Sequence, residues 1–301
     1  MGIVIAEESF FPSLKKVLKD EGETQIVKDG WGRTIRVGKD GNAYFAEHLD
    51  TILKETSDLD KIEFESPFLE SRYANLNEQI EAEANGRKCL FAKIGGLYCR
   101  CHFLRGEDQL LMDMALDEQF CDDLFDRSVD YFLNIALETL RRTNTYETGL
   151  WIYDDMAGTR TPMFSPAMYE RYFLPRYQKI ISTVKAAGCK RVIFHSDGNL
   201  LPVFEQLIAA GFDGFNPLEP RCGMDVIKLR EKYGKIYFGG ICNTEILPRG
   251  DKEEIKKHVI PILEAAGEGG IIPGFASAST DISTDTYDYY YSLIQKFNGW
   301  Q

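Results

Sequence analysis

The feature that most constrains this chain is a recurrence. A short apolar run is followed by a longer stretch whose apolar residues fall at helical spacing, and the pair repeats along the sequence. The runs are Gly2–Ala6, Cys89–Ile94, Leu150–Tyr153, Arg191–Phe194, Phe212–Phe215, Ile236–Phe238 and Gly270–Ile272. Between them lie amphipathic stretches such as Pro166–Ala187, where Met168, Tyr172, Leu174, Tyr177, Ile180, Ile181 and Val184 recur near a 3.6-residue period. Strands alternating with helices specify a parallel sheet covered by helices, because consecutive parallel strands need a crossover connection. Ser165 before Pro166, and Asp117 and Asp251 ahead of charged helical runs, supply capping signals.

At 301 residues the alternation fits a single α/β domain over 1–301, a (β/α)8 TIM barrel. Seven strand candidates are one short of closure. The first βα unit is therefore expected to be missing, or something else to seal the gap, since an open barrel exposes unpaired backbone. One interruption stands out: the string DGWGRTIRVGKDGNAY reads as two alternating β segments around Lys39-Asp40-Gly41, a small hairpin insertion over about residues 28–45.

In such sheets chemistry gathers at the carboxyl ends of the strands. Polar clusters here sit at those ends: Asp154 and Asp155; His195, Ser196, Asp197 and Gly198; Asn216 and Glu219; Gly239 through Asn243; and Phe275 through Ser279. Adjacent residues on an extended segment diverge, so one of Asp154 and Asp155 faces the mouth as a proton-exchanging group and the other caps a helix. His195, at a strand end rather than within the strand, is the leading catalytic candidate, with Asp197 either orienting it or serving the turn before Gly198. Glu219, held between Pro217 and Pro220, suits either a metal ligand or a rigid corner. Cys242 is either a soft ligand or an apolar filler. His195, Glu219 and Cys242 form the expected metal set, and Arg105, Arg160, Asn216, Asn243, Ser277 and Ser279 the expected substrate contacts. The two arginines serve either as carboxylate clamps or as surface ion-pair partners.

Composition excludes several classes. A net charge of −12 without a basic cluster disfavours nucleic acid, and no apolar run is long enough for a membrane span. Without a signal pattern, and with seven cysteines in a chain of this length, a cytoplasmic protein with reduced thiols is expected.

The succession Met163-Phe164-Ser165-Pro166, His195-Ser196-Asp197-Gly198, Asn216-Pro217-Leu218-Glu219-Pro220 and Gly239-Gly240 resembles the uroporphyrinogen decarboxylase superfamily, from about Gly2 to the carboxyl terminus. The resemblance implies a (β/α)8 barrel with a deep cleft, and either porphyrinogen decarboxylation or methyl transfer with corrinoids. The decarboxylases' Arg-Gln-Ala-Gly-Arg signature is absent, and Glu7-Glu8 stand where they carry a critical aspartate. The thiol-activating methyltransferases hold zinc through His-x-Cys and a later cysteine. Here the first part reads His195-Ser196-Asp197, leaving a harder donor set.

The resulting expectation is a methyltransferase working between a small O- or N-methylated substrate and a corrinoid carried by a partner protein, with zinc as a cofactor and homo-oligomerisation open. One alternative is a cofactor-independent decarboxylase of uroporphyrinogen or a related carboxylated substrate, with Asp154 or Glu7 stabilising a protonated intermediate. The other is a non-catalytic corrinoid- or tetrapyrrole-binding module.

Overall fold

The computed structural model describes residues 1–39, 46–84, 88–276 and 280–297. The chain forms two compact units, Met1–Asp154 with Ala167–Arg191, and Asp155–Pro166 with Val192 onward. All seven expected strands are present, their ends moved by a few residues, and all seven run in parallel ladders.

The first unit opens with β1 (Gly2–Ile5). A four-stranded antiparallel sheet follows, β2 (Lys16–Asp20), β3 (Thr24–Lys28), β4 (Thr34–Gly38) and β5 (Glu47–Asp50), in that spatial order. The expected hairpin is thus part of a larger insertion that begins at Lys16. Its tight turn is at Asp29–Arg33, where Asp29 Oδ1 accepts from the backbone N–H groups of Trp31 and Arg33 at 3.0 and 2.9 Å. The expected turn at Lys39-Asp40-Gly41 lies largely outside the described residues.

Next come α1 (Leu76–Ala84), β6 (Leu90–Gly95), α2 (Leu97–Arg105), α3 (Glu107–Leu116), the long α4 (Glu118–Thr143), β7 (Leu150–Tyr153) and α5 (Leu174–Ala186). β6 pairs with β1 on one side and β7 on the other. Phe91, Ala92 and Ile94 of β6 are buried, as befits a strand covered on both faces. A stripe of α4 comprising Phe120, Leu124, Phe125, Val129, Phe132, Ile135 and Leu140 closes over the core, and Asp117 caps that helix through Phe120 N. In β1, the backbone N–H and C=O of Ile5 are both engaged by the side-chain amide of Gln79, at 2.8 and 2.9 Å. Gln79 thus occupies groups that a further strand would use.

The stretch read as one helix over Pro166–Ala187 is broken: a π-helical turn spans Tyr169–Phe173 before α5. Pro175 has no N–H to give to the preceding turn, and the ladder shifts there.

The second unit contains β8 (Val192–His195), α6 (Phe204–Ala210), β9 (Gly214–Leu218), α7 (Val226–Tyr233), β10 (Ile236–Gly240), α8 (Ile246–Arg249), α9 (Lys252–Gly267), β11 (Ile271–Gly274) and α10 (Thr284–Phe297). Strands β8 to β11 pair in sequence order. Asp225 and Asp251 cap α7 and α9. The molecule is therefore a mixed α/β protein with seven parallel strands and a small antiparallel sheet. Among the described residues, no helix is long and apolar enough to cross a membrane.

Candidate functional site

His195 is the last residue of β8 and Asn216 lies in β9, directly beside it in the ladder. That register brings His195 Nδ1 to 2.6 Å from Asn216 Oδ1. An amide oxygen only accepts, so Nδ1 carries the proton and the Nε2 lone pair points elsewhere. It points towards carboxylates: Asp155 Oδ1 lies 3.6 Å from Nε2. One ligand atom each from Asp155, His195 and Asp197 lies within 4.8 Å of the others, a grouping found among the described residues.

The loop after β8 is held by several independent bonds. Asp197 N donates to Asp155 Oδ1 at 3.0 Å, tying the two acids together. Ser196, fully buried, accepts from Met156 N at 3.1 Å and donates to Asp197 O at 2.9 Å. Gly198 adopts a φ of +89°, and a Cβ there would lie 2.4 Å from Ala157 O and 2.6 Å from Gly158 O, so only glycine fits. Its N–H donates to Glu219 Oε2 at 2.9 Å. The Asp197 carboxyl is raised above its ordinary 3.8, first by partial desolvation and then by the charge of Asp155, with His195 opposing. Two carboxylates and an imidazole nitrogen crowded in this way are a donor set for a hard or borderline divalent cation.

The other expected residues fall elsewhere. Glu219 is 5% exposed and both its oxygens are engaged, Oε2 by Gly198 N and Oε1 by Arg221 Nε at 3.1 Å. It braces the loop after β8 and stands outside the three-residue cluster, as does Cys242. The Cys242 N–H donates to His258 Nε2 at 3.0 Å. Burial alone would raise the Cys242 thiol, but the backbone N–H groups of Ile246, Thr244 and Glu245 prevail and lower it.

Asp154 is fully buried in the first unit. It accepts from Tyr98 N at 3.2 Å, from Cys99 N at 2.7 Å and from the Tyr177 hydroxyl, so of the adjacent pair it is the member that anchors a helix, α2. Gly96 makes room for it, since a Cβ there would meet Asp154 Cβ at 2.0 Å. Asp155 is the member beside His195. Arg105 is not available as a clamp: it is buried against Asp113 at 2.7 Å and the carbonyls of Leu53 and Lys54. Arg160 is exposed and takes part through its carbonyl, which accepts from Asn199 Nδ2 at 2.8 Å. Asn243 is buried. Ser277 and Ser279 lie outside the described residues.

Sequence reasoning named Ser196 and Gly198 without a bracing role, and it nominated Asn216 as a substrate contact without its pairing with His195. The available signal was spacing: parallel neighbours β8 and β9 place residues at matching depths side by side, and His195 and Asn216 each directly follow the apolar run read from the sequence.

A family model, "Uroporphyrinogen decarboxylase (URO-D)", matches residues 26–284. The chain belongs to the uroporphyrinogen decarboxylase family. Among solved structures, this family member is similar to a methyltransferase from Methanosarcina mazei with a TM-score of 0.63 and 15% identity, over 84% of this chain and 72% of that one. At that identity the likeness speaks for the fold. No curated protein matches the chain.

Proposed function

We propose that this member of the uroporphyrinogen decarboxylase family is a metal-assisted methyltransferase, moving a methyl group between a small O- or N-methylated compound and the corrinoid of a partner protein. The observation that carries this reading is the cluster of Asp155, His195 and Asp197, with Asn216 fixing the imidazole tautomer. Family membership, and the likeness in fold to a structure described as a methyltransferase, support it.

The donor set fits a divalent ion such as zinc. His195 offers its imidazole Nε2, Asp155 and Asp197 offer oxygens, and three protein ligands leave a position for substrate. Bound there, the ion would supply Lewis acidity towards an oxygen or nitrogen leaving group. The protein's own contribution is alignment, which methyl transfer chiefly demands. Asn216 holds His195, Ser196 and Gly198 hold the loop, and Glu219 fixes Gly198 from behind.

The test is metal content of the purified chain by elemental mass spectrometry beside His195→Ala, followed by corrinoid methylation read from its visible spectrum with methylated substrates. Near-stoichiometric zinc lost in the variant, together with methyl transfer that fails in it, is the expected result. A metal-free chain that decarboxylates a carboxylated substrate would overturn the reading in favour of its family's namesake chemistry.

A further inference from the structure

In the second unit a cavity of roughly 450 Å³ opens between α7 and α9, beside the carboxyl end of β10. None of Asp155, His195 and Asp197 lines it. Its walls are chiefly apolar: Val226 and Ile227 from the first turn of α7, Pro261 and Ile262 from α9, and Pro220 from the loop after β9. A space of that size suits a small molecule.

Two local features shape the space. Gly240 ends β10 with a φ of +88°, and a Cβ there would lie 2.6 Å from Val226 Cγ1 and 3.6 Å from Ile262 Cδ1. A side chain at this position would crowd the gap between the two helices. Pro261 stands inside α9 and has no N–H to give, so the Lys257 carbonyl one turn earlier lacks its usual intrahelical donor. His258, also in the wall, ties the cavity to the strand end: its Nε2 accepts from Cys242 N at 3.0 Å, and its ring bonds the Gly240 backbone as well. Burial holds its pKa below 6.5, against the Gly240 bond, so the imidazole adds no charge at neutral pH.

The charges at the rim are unbalanced. Asp225 caps α7 through Oδ1 and meets Lys228 through Oδ2 at 3.2 Å, so these two offset each other. Lys257 forms no ion pair among the described residues. One ammonium is thus left uncompensated beside an apolar space.

We infer that this cavity is a binding site for a small organic monoanion with an apolar body, an aromatic or short-chain monoacid. The body removes apolar surface of Val226, Ile227, Pro261 and Ile262 from water, and the acid group meets Lys257. An inorganic anion gains only the second contribution, and a neutral isostere only the first. Because His258 joins the cavity wall to the amide of Cys242, occupancy is felt at the loop after β10. The inference is drawn within the second unit and does not depend on the metal-centre reading.

The test is titration of the full chain with benzoate and with hexanoate, followed by calorimetry and by the imidazole proton resonances of its four histidines. Benzamide serves as the neutral isostere and inorganic phosphate as the anion without an apolar body. Saturable binding of at least one acid is expected, with benzamide weaker by about tenfold, the worth of one charge-assisted contact, and phosphate at least as weak. The His258 resonances should move while those of His195 stay in place. Lys257→Gln should weaken the acid by about tenfold and leave benzamide unchanged. Ile227→Trp, which fills the space, should abolish binding in a chain whose circular dichroism is unchanged. His195→Ala should bind the acid as the wild type does, which separates this result from the fate of the metal-centre reading. No saturable binding of either acid, equal binding of benzamide or phosphate, loss of binding in His195→Ala, or wild-type affinity in both folded cavity variants would each overturn the inference.

Discussion

Asp154→Ala removes the group that ties β7 to the start of α2. Asp154 receives two backbone N–H groups, those of Tyr98 and Cys99, and the hydroxyl of Tyr177, and Tyr177 in turn accepts from Leu97 N at 3.2 Å. With alanine in its place, three donors are left buried. Unsatisfied buried donors cost about 1–3 kcal/mol each, but some will relax or capture water. A total loss of about 3–5 kcal/mol follows, a large part of the stability of an ordinary domain. Asp154→Asn keeps one acceptor oxygen and should lose about half as much. Urea unfolding followed by far-ultraviolet circular dichroism measures both. Native-state hydrogen exchange at Tyr98 and Cys99 should be faster in Asp154→Ala by about 100-fold, the equivalent of roughly 3 kcal/mol. A stability change below about 1 kcal/mol in the alanine variant, with exchange unaltered, would refute the assignment of Asp154 as a helix anchor.

Other outcomes can be checked in parallel. Asn216→Ala should lower zinc affinity by about 10–100-fold through loss of the imidazole's second partner, measured by competition with a chromophoric chelator. Gly198→Ala meets two backbone carbonyls that cannot yield and a φ disfavoured for alanine by about 1–2 kcal/mol; reduced metal content with a modestly lowered Tm is expected. Burial would raise the Glu8 carboxyl, but Lys93, Arg100 and the Gly95 N–H outweigh it and hold the pKa below the ordinary 4.5. Because the folded pKa is depressed, the stabilisation is complete above about pH 4.5 and is lost as pH falls through the folded value. Glu8→Gln should therefore be less stable at neutral pH by about 3–5 kcal/mol, since it leaves Lys93 and Arg100 uncompensated. Its stability should also vary less with acidification, a comparison made by urea midpoints from pH 7 downward.

The strands and their polar ends were legible because burial on both faces demands continuous apolar runs, and each run is visible without knowledge of its neighbours. Leu150–Tyr153 appears as read, and β8 differs from the reading only by starting at Val192 and taking in His195. Capping at Asp117 and Asp251 is equally local. His195 and Asp197 could be nominated because they lie at and just past a strand end, and the family motifs around them are contiguous.

Contacts across sequence distance were not legible. Asn216 meets His195 only through the register of two strands, and Glu219 reaches Gly198 N only because the loops after those strands pack together. Whether Asp154 or Asp155 turns towards His195 depends on where α2 begins, more than fifty residues earlier, since the helix amides at Tyr98 and Cys99 claim Asp154. Arg105 read as a clamp until its partner Asp113 and the carbonyls of Leu53 and Lys54 were seen to exhaust it. Periodicity and strand-end chemistry are properties of short segments, and the chain alone determined them. Which acid turns towards His195, which anchors a helix and which arginine is paired off internally are properties of pairing between distant segments, and only the tertiary structure decided them.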